Sequence, residues 1–228
     1  MTKAEVMALL KANRDLQVSN RTKPAAGLKS FGIGLTVLRR LAKQIGRDHA
    51  LALKLWESDI YEARIIGLLI DDPKQITREQ AEGQVEQLEH DQGMLAHVFS
   101  SCDAALAKTS FVVELAEDWI DSKDRRRRGC GYGLLYEVSK FKGKKAPDDA
   151  FFLKHINRVE EAYCKDGSVA GAFALLGIGK RNPKLNAAAL KVAKLIGPIE
   201  YNGENNCEPF DLVGHLSKDH LKRRLGIK

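Results

Sequence analysis

At 228 residues, 44% of them hydrophobic, the chain is long enough to bury a core in one domain or two closely joined halves, which sets disorder aside. Its 37 Lys and Arg against 30 Asp and Glu give a net charge of +7, pointing to a polyanionic partner: nucleic acid, an anionic membrane or an acidic protein. No apolar run reaches the roughly 20 residues of a spanning helix, MTKAEVMALLKANRD interleaves charges with apolar residues, and Cys102, Cys130, Cys164 and Cys207 form no C-x-x-C, so a soluble cytoplasmic protein with reduced thiols and no cofactor is expected.

In chain order, the apolar residues recur at helical spacing from end to end, and strict strand-like alternation is hard to find. Ser19 to Gly34, with Pro24, Gly27, Gly32 and Gly34, reads as a loop. A stripe of Val37, Leu38, Leu41 and Ile45 follows, then one of Ile60, Ile65, Leu68 and Leu69 that stops at Asp72-Pro73. Thr77 with Gln80 predicts a capping box for the next helix. Val112, Val113, Leu115 and Ala116 make another stripe, and Gly129, Gly131 and Gly133 lie within a helical pattern, where small residues permit close approach of a neighbouring helix. Pro147-Asp148 and Asn182-Pro183 separate later helices, and Leu190, Val192, Ala193 and Ile196 lead to a stop at Gly197-Pro198. A loop over 200–209 precedes a short helical tail ending Lys222-Arg223-Arg224.

About ten to thirteen helices fit this pattern, so the fold class is all-α. Short helices joined by short turns suggest a globular bundle or stacked helix pairs of the HEAT type, and the expected architecture is a single α-solenoid domain over residues 1–228 with a basic concave face. Arg39, Arg128 and Arg181 are expected to face one concavity.

Basic residues cluster at Arg39, Arg40, Lys43 and Arg47, at Arg125 to Arg128, at Lys140, Lys142, Lys144 and Lys145, and at Lys180, Arg181 and Lys184. They read either as solvated helix faces or as the lining of a groove whose affinity for DNA depends on phosphate neutralisation and therefore on salt. Asp103 stands in the mostly small, apolar stretch Phe99-Ser-Ser-Cys-Asp103-Ala-Ala-Leu, with no basic residue before Lys108. It is a helix cap, a partner for a distant arginine, or a functional carboxylate. Trp56 and Trp119 lie in apolar stripes and are assigned to the core, and Cys207 with His215 and His220 matches no zinc spacing.

Taken together, Leu28 to Lys43 (LKSFGIGLTVLRRLAK), Leu55 to Arg64 (LWESDIYEAR), Asp71-Asp72-Pro73, and Phe99 to Asp103 followed by Arg128 resemble the DNA alkylation repair family of HEAT-like helical DNA glycosylases, over roughly residues 28 to 197. That resemblance implies double-stranded DNA as partner and excision of cationic N3- or N7-alkylated purines without base flipping. It further implies Asp103 as the carboxylate that stabilises the sugar cation, with Arg128 clamping the backbone beside the lesion. Phe99 and Phe173 fall where the family packs two tryptophans on the lesion's sugar, and the smaller phenylalanine face leaves a member that only binds DNA as an alternative. Arg39, Lys43, Arg64, Lys180 and Arg181 are candidates for backbone contacts. The expected state is a monomer without metal or membrane association, and a protein-interaction scaffold is the remaining rival.

Overall fold

The computed structural model describes residues 1–15, 27–88, 94–200 and 208–227. Thirteen α-helices occupy the described residues: α1 (Lys3–Ala12), α2 (Leu35–Ile45), α3 (His49–Trp56), α4 (Tyr61–Ile70), α5 (Arg78–Glu86), α6 (Met94–Phe99), α7 (Val112–Ile120), α8 (Arg125–Val138), α9 (Asp149–Asp166), α10 (Ala172–Ile178), α11 (Pro183–Ile196), α12 (Leu212–Leu216) and α13 (Asp219–Leu225). Among those residues β pairing is confined to two isolated bridges, Lys29 with Ile60 and Ile199 with Phe210. The chain gathers into two compact units, Met1–Leu134 and Leu135–Lys228.

Helix starts follow side-chain capping, which satisfies backbone N–H groups that have no partner within the helix. Thr2 and Glu5 form a reciprocal capping box on α1, while Asp48, Asp148 and Asn182 cap α3, α9 and α11. At α5 the expected box is half made. Thr77 accepts from the Gln80 backbone N–H at 3.1 Å, but the Gln80 amide reaches back to Asp71 Oδ2 at 2.8 Å, because the buried Asp71 carboxylate lies within its reach.

In the first unit α4 is the hub, packing against α1, α2, α3 and α6. It is buried nearly all round, with Tyr61, Ala63, Ile65, Ile66, Leu68 and Ile70 all in the core, so the single stripe expected from Ile60, Ile65, Leu68 and Leu69 understates it. Gly67 permits the approach of α3, since a Cβ there would lie 2.9 Å from the Ala52 carbonyl oxygen. On α8, the expected close approach is present at two glycines: a Cβ on Gly131 would lie 2.7 Å from the Ile120 nitrogen, and one on Gly133 would lie 2.4 Å from Ser100 Oγ.

The stretch before α2 is more than a surface loop. Residues 16–26 lie outside the described residues, but from Lys29 onward the chain is fastened to α4. Lys29 N–H donates to the Asp59 carbonyl at 2.8 Å, and the buried Glu62 carboxylate accepts from the backbone N–H groups of Phe31, Gly32 and Ile33 and from Ser30 Oγ at 2.6 Å. One buried charge is thereby met by several donors, the condition under which a carboxylate is tolerated inside a protein. The glutamate fixes where α2 begins, and with it the position of Arg39.

In the second unit α11 packs against α9, α10 and α12 around Phe152, Ile156, Val159, Leu175, Leu185 and Val192. The buried Asn186 amide donates to the carbonyls of Gly179 (2.9 Å) and Leu216 (3.2 Å), tying α11 to the ends of α10 and α12. Within the loop expected over 200–209, residues 201–207 lie outside the described residues. Its flanks pair as an antiparallel bridge, with Phe210 N–H donating to the Ile199 carbonyl at 2.8 Å.

Candidate nucleic-acid interface

Asp103 lies in the turn that follows α6, its backbone N–H donating to Ser101 Oγ at 3.3 Å. Its partner is 64 positions away in sequence: Arg39, on α2, donates from Nε at 3.1 Å and from Nη2 at 2.5 Å, both to Oδ2. The Asp103 side chain keeps 21% of its surface exposed and that of Arg39 keeps 46%, so the pair lies at the surface of the first unit. The bond to Asp103 holds the Arg39 guanidinium above the ordinary arginine pKa. Of the alternatives open for Asp103, a partner for a distant arginine is the one present, and Arg39, expected on a DNA phosphate, is already engaged.

Phe99 is 0% exposed. Its ring lies 5.9 Å from that of Trp119, nearly parallel, and 6.4 Å from that of Trp56. Both tryptophans are core residues, each satisfying its indole N–H, Trp56 on Gln87 at 3.0 Å and Trp119 on Glu82 at 2.9 Å. Phe99 is thus enclosed in the core, with no exposed face where the resemblance sets a sugar-packing ring. Phe173, in contrast, is 48% exposed.

The arginine run at the start of α8 is largely spoken for. Arg126 bonds the Leu88 carbonyl, Arg127 reaches Glu82 at 2.9 Å and Glu86 at 3.0 Å, and Arg128 donates from Nη1 to the carbonyls of Ser122 (2.9 Å) and Lys123 (3.3 Å). Arg128 thus neutralises carbonyls just past the C-terminal end of α7, where a cation is favoured. Arg125 alone of the four is exposed.

Two more candidates are internal ties. Arg64 donates from Nε to the Ser58 carbonyl at 2.8 Å and lies over the Trp56 ring at 5.4 Å, with burial pushing its pKa down. Arg181 donates from Nη1 to the carbonyls of Ser139 (2.6 Å) and Phe141 (3.1 Å) and lies 4.2 Å over the Phe152 ring, likewise with its pKa lowered by burial. Lys43 is exposed on the last turn of α2 beside exposed Arg40 and Arg47, and Lys180 is half-buried at the end of α10. Sequence reasoning missed Glu62, whose anchoring contacts lie about thirty residues away, and Lys218, which falls outside every basic run.

The surface chemistry is therefore that of exposed lysines and arginines carried on helices, with the Asp103 carboxylate already paired. Among the described residues no group of three His, Cys, Asp or Glu is placed to hold a metal ion, and Cys207 lies outside them. No described helix is long and apolar enough to cross a membrane.

The family model described as DNA alkylation repair enzyme matches residues 3–194. An uncharacterized protein of Listeria innocua is 23% identical over 196 residues, covering 84% of each chain. A solved structure described as "a new family of proteins related to the HEAT-like repeat DNA glycosylases with affinity for branched DNA structures" superposes with a TM-score of 0.81 at 19% identity, covering 100% of this chain and 97% of that one. The likeness in structure shows that the fold here is the all-helical HEAT-like fold.

Proposed function

The chain belongs to the DNA alkylation repair enzyme family, and from that premise we propose that it is a DNA-structure-binding member, holding duplex and branched DNA by the phosphates without cutting a glycosidic bond. The affinity for branched DNA described for the solved relative, the excess of seven positive charges, and the exposed lysines and arginines support the choice of partner. The protein acts as a monomer in the cytoplasm, a setting suited to free Cys102, Cys130 and Cys164.

The observation that carries the non-catalytic part is the Arg39–Asp103 ion pair. A carboxylate that stabilises an oxocarbenium sugar must direct its charge at a cation that develops only in the transition state. Here that charge already faces a guanidinium with two hydrogen bonds to Oδ2, which offsets part of the field that Asp103 would direct at a sugar cation. The buried Phe99 ring supplies no wall beside it.

A second reading is excision of alkylated purines at Asp103, favoured by the part exposure of its side chain. Arg39 then holds the carboxylate charged and aimed. Incubation with duplex containing N7-methylguanine or N3-methyladenine, followed by chromatography for free base, separates the two. The proposal expects no base above the uncatalysed background from the native protein and the same from Asp103→Asn. Base release that Asp103→Asn lowers by about tenfold to a thousandfold, the scale of losing one electrostatic stabiliser, would replace it with the second reading.

A further inference from the structure

The second unit carries an aromatic ladder on the same elements as a crowd of cations. Phe173, in the first turn of α10, exposes nearly half its surface. Its ring lies 4.8 Å from that of Phe210 at 29°, and Phe210 lies 4.9 Å from the His215 imidazole at 23°. The three rings are stacked, with Phe173 and His215 at the ends. Stacked rings usually belong to a core, where both faces of each ring are covered, and an exposed terminal ring leaves a flat apolar face in water.

Lys180 lies seven positions beyond Phe173, in the turn that follows the C-terminal end of α10. Its ammonium is held below the ordinary lysine pKa first by burial and then by three other cations, Arg224, Lys140 and Lys218. Arg224 is placed there by a hydrogen bond to the Lys180 carbonyl at 2.9 Å, and Lys140 is paired with Glu137 at 2.8 Å. Lys218 is exposed at the turn between α12 and α13, three residues from His215. A fold that gathers these positive charges on one side raises its own electrostatic energy unless an anion joins them.

We propose that the Phe173–Phe210–His215 ladder, together with Lys180, Lys218 and Arg224, receives an unpaired nucleotide of branched DNA: the base stacks on the exposed Phe173 ring and the adjoining phosphates lie among the three cations. The inference rests on the DNA-holding reading and names the part of the DNA that this unit takes. Stacking with phosphate neutralisation is how single strands are held without regard to sequence. Both faces of a base inside a duplex are already covered by its neighbours, so a flush duplex offers Phe173 only the outer faces of its paired end bases. A fork offers the unpaired bases of its single-stranded arms.

The test is a forked duplex with 2-aminopurine in its single-stranded arm, compared with a flush duplex of the same sequence. Binding by the native protein quenches the 2-aminopurine. In Phe173→Leu, an apolar residue without a π-face, the quench is lost and affinity for the fork falls by about fivefold to a hundredfold more than affinity for the flush duplex. Phe173→Trp restores both. Lys218→Ala lowers the slope of log affinity against log salt on the fork by about one. Thermal melting of each variant reports whether the fold is intact. An unchanged quench in Phe173→Leu, no quench in the native protein, or equal losses on fork and flush duplex overturn the inference while leaving DNA binding standing. Failure of the native protein to bind either DNA overturns the DNA-holding reading, and this inference with it.

Discussion

Phe99 and Asp103 are four residues apart and end in opposite environments, and the difference explains what each can do. Phe99 closes α6 and turns inward, fully buried beside the rings of Trp56 and Trp119. Replacing it with tryptophan, the residue the family resemblance calls for, adds volume to a site with none to spare. Phe99→Trp is expected to cost about 1–3 kcal/mol, and Phe99→Ala about 3–5 kcal/mol, read as lowered unfolding midpoints in denaturant. A Phe99→Trp variant as stable as the native protein that also releases alkylated bases would return the ring to the DNA surface. Asp103, in the exposed turn beyond, meets Arg39 across 64 positions. The isolation of that carboxylate was legible from the apolar residues around it, but its partner was not, because no local pattern records which distant arginine the packing of α2 brings near.

At the scale of elements, a glycine's effect depends on what surrounds it. Gly131 on α8 faces backbone atoms of Trp119 and Ile120, which cannot move aside as a side-chain tip would. Gly83 on α5 has open space where a Cβ would go. Gly131→Ala is therefore expected to destabilise by about 1–3 kcal/mol through overpacking, and Gly83→Ala to stabilise by up to about 1 kcal/mol through reduced backbone freedom in the unfolded chain. Calorimetric melting midpoints moving in opposite directions check both, and a stabilised Gly131→Ala would contradict the close approach of α7 and α8. The helices, their boundaries at Asp72-Pro73, Asn182-Pro183 and Gly197, and the small-residue face of α8 were legible in the sequence because each depends on chain-local geometry. The carbonyl partners of Arg64, Arg128 and Arg181 were not legible, because a basic side chain that serves a backbone carbonyl looks, in sequence, the same as one facing solvent. Glu62 escaped notice for a related reason: it lies in the charged stretch Glu-Ala-Arg, and only the folded chain shows four donors converging on it.

For the whole molecule, the net charge of +7 outweighs the internal ion pairs, and the cations left exposed, among them Lys43, Arg47, Arg125, Lys184 and Lys218, are those that phosphates can reach. Contacts of this kind release counterions and read no base edge, so they favour DNA by its charge and shape. The measurement that tests this most directly is fluorescence anisotropy of the native protein against a four-way junction and a flush duplex of equal length, repeated from about 50 to 200 mM salt. The account predicts tighter binding to the junction and a linear fall of log affinity with log salt on both, steep enough to cost about tenfold to a thousandfold over that range for several phosphate contacts. Binding that ignores salt, or no binding to either DNA at the lowest salt, would contradict it.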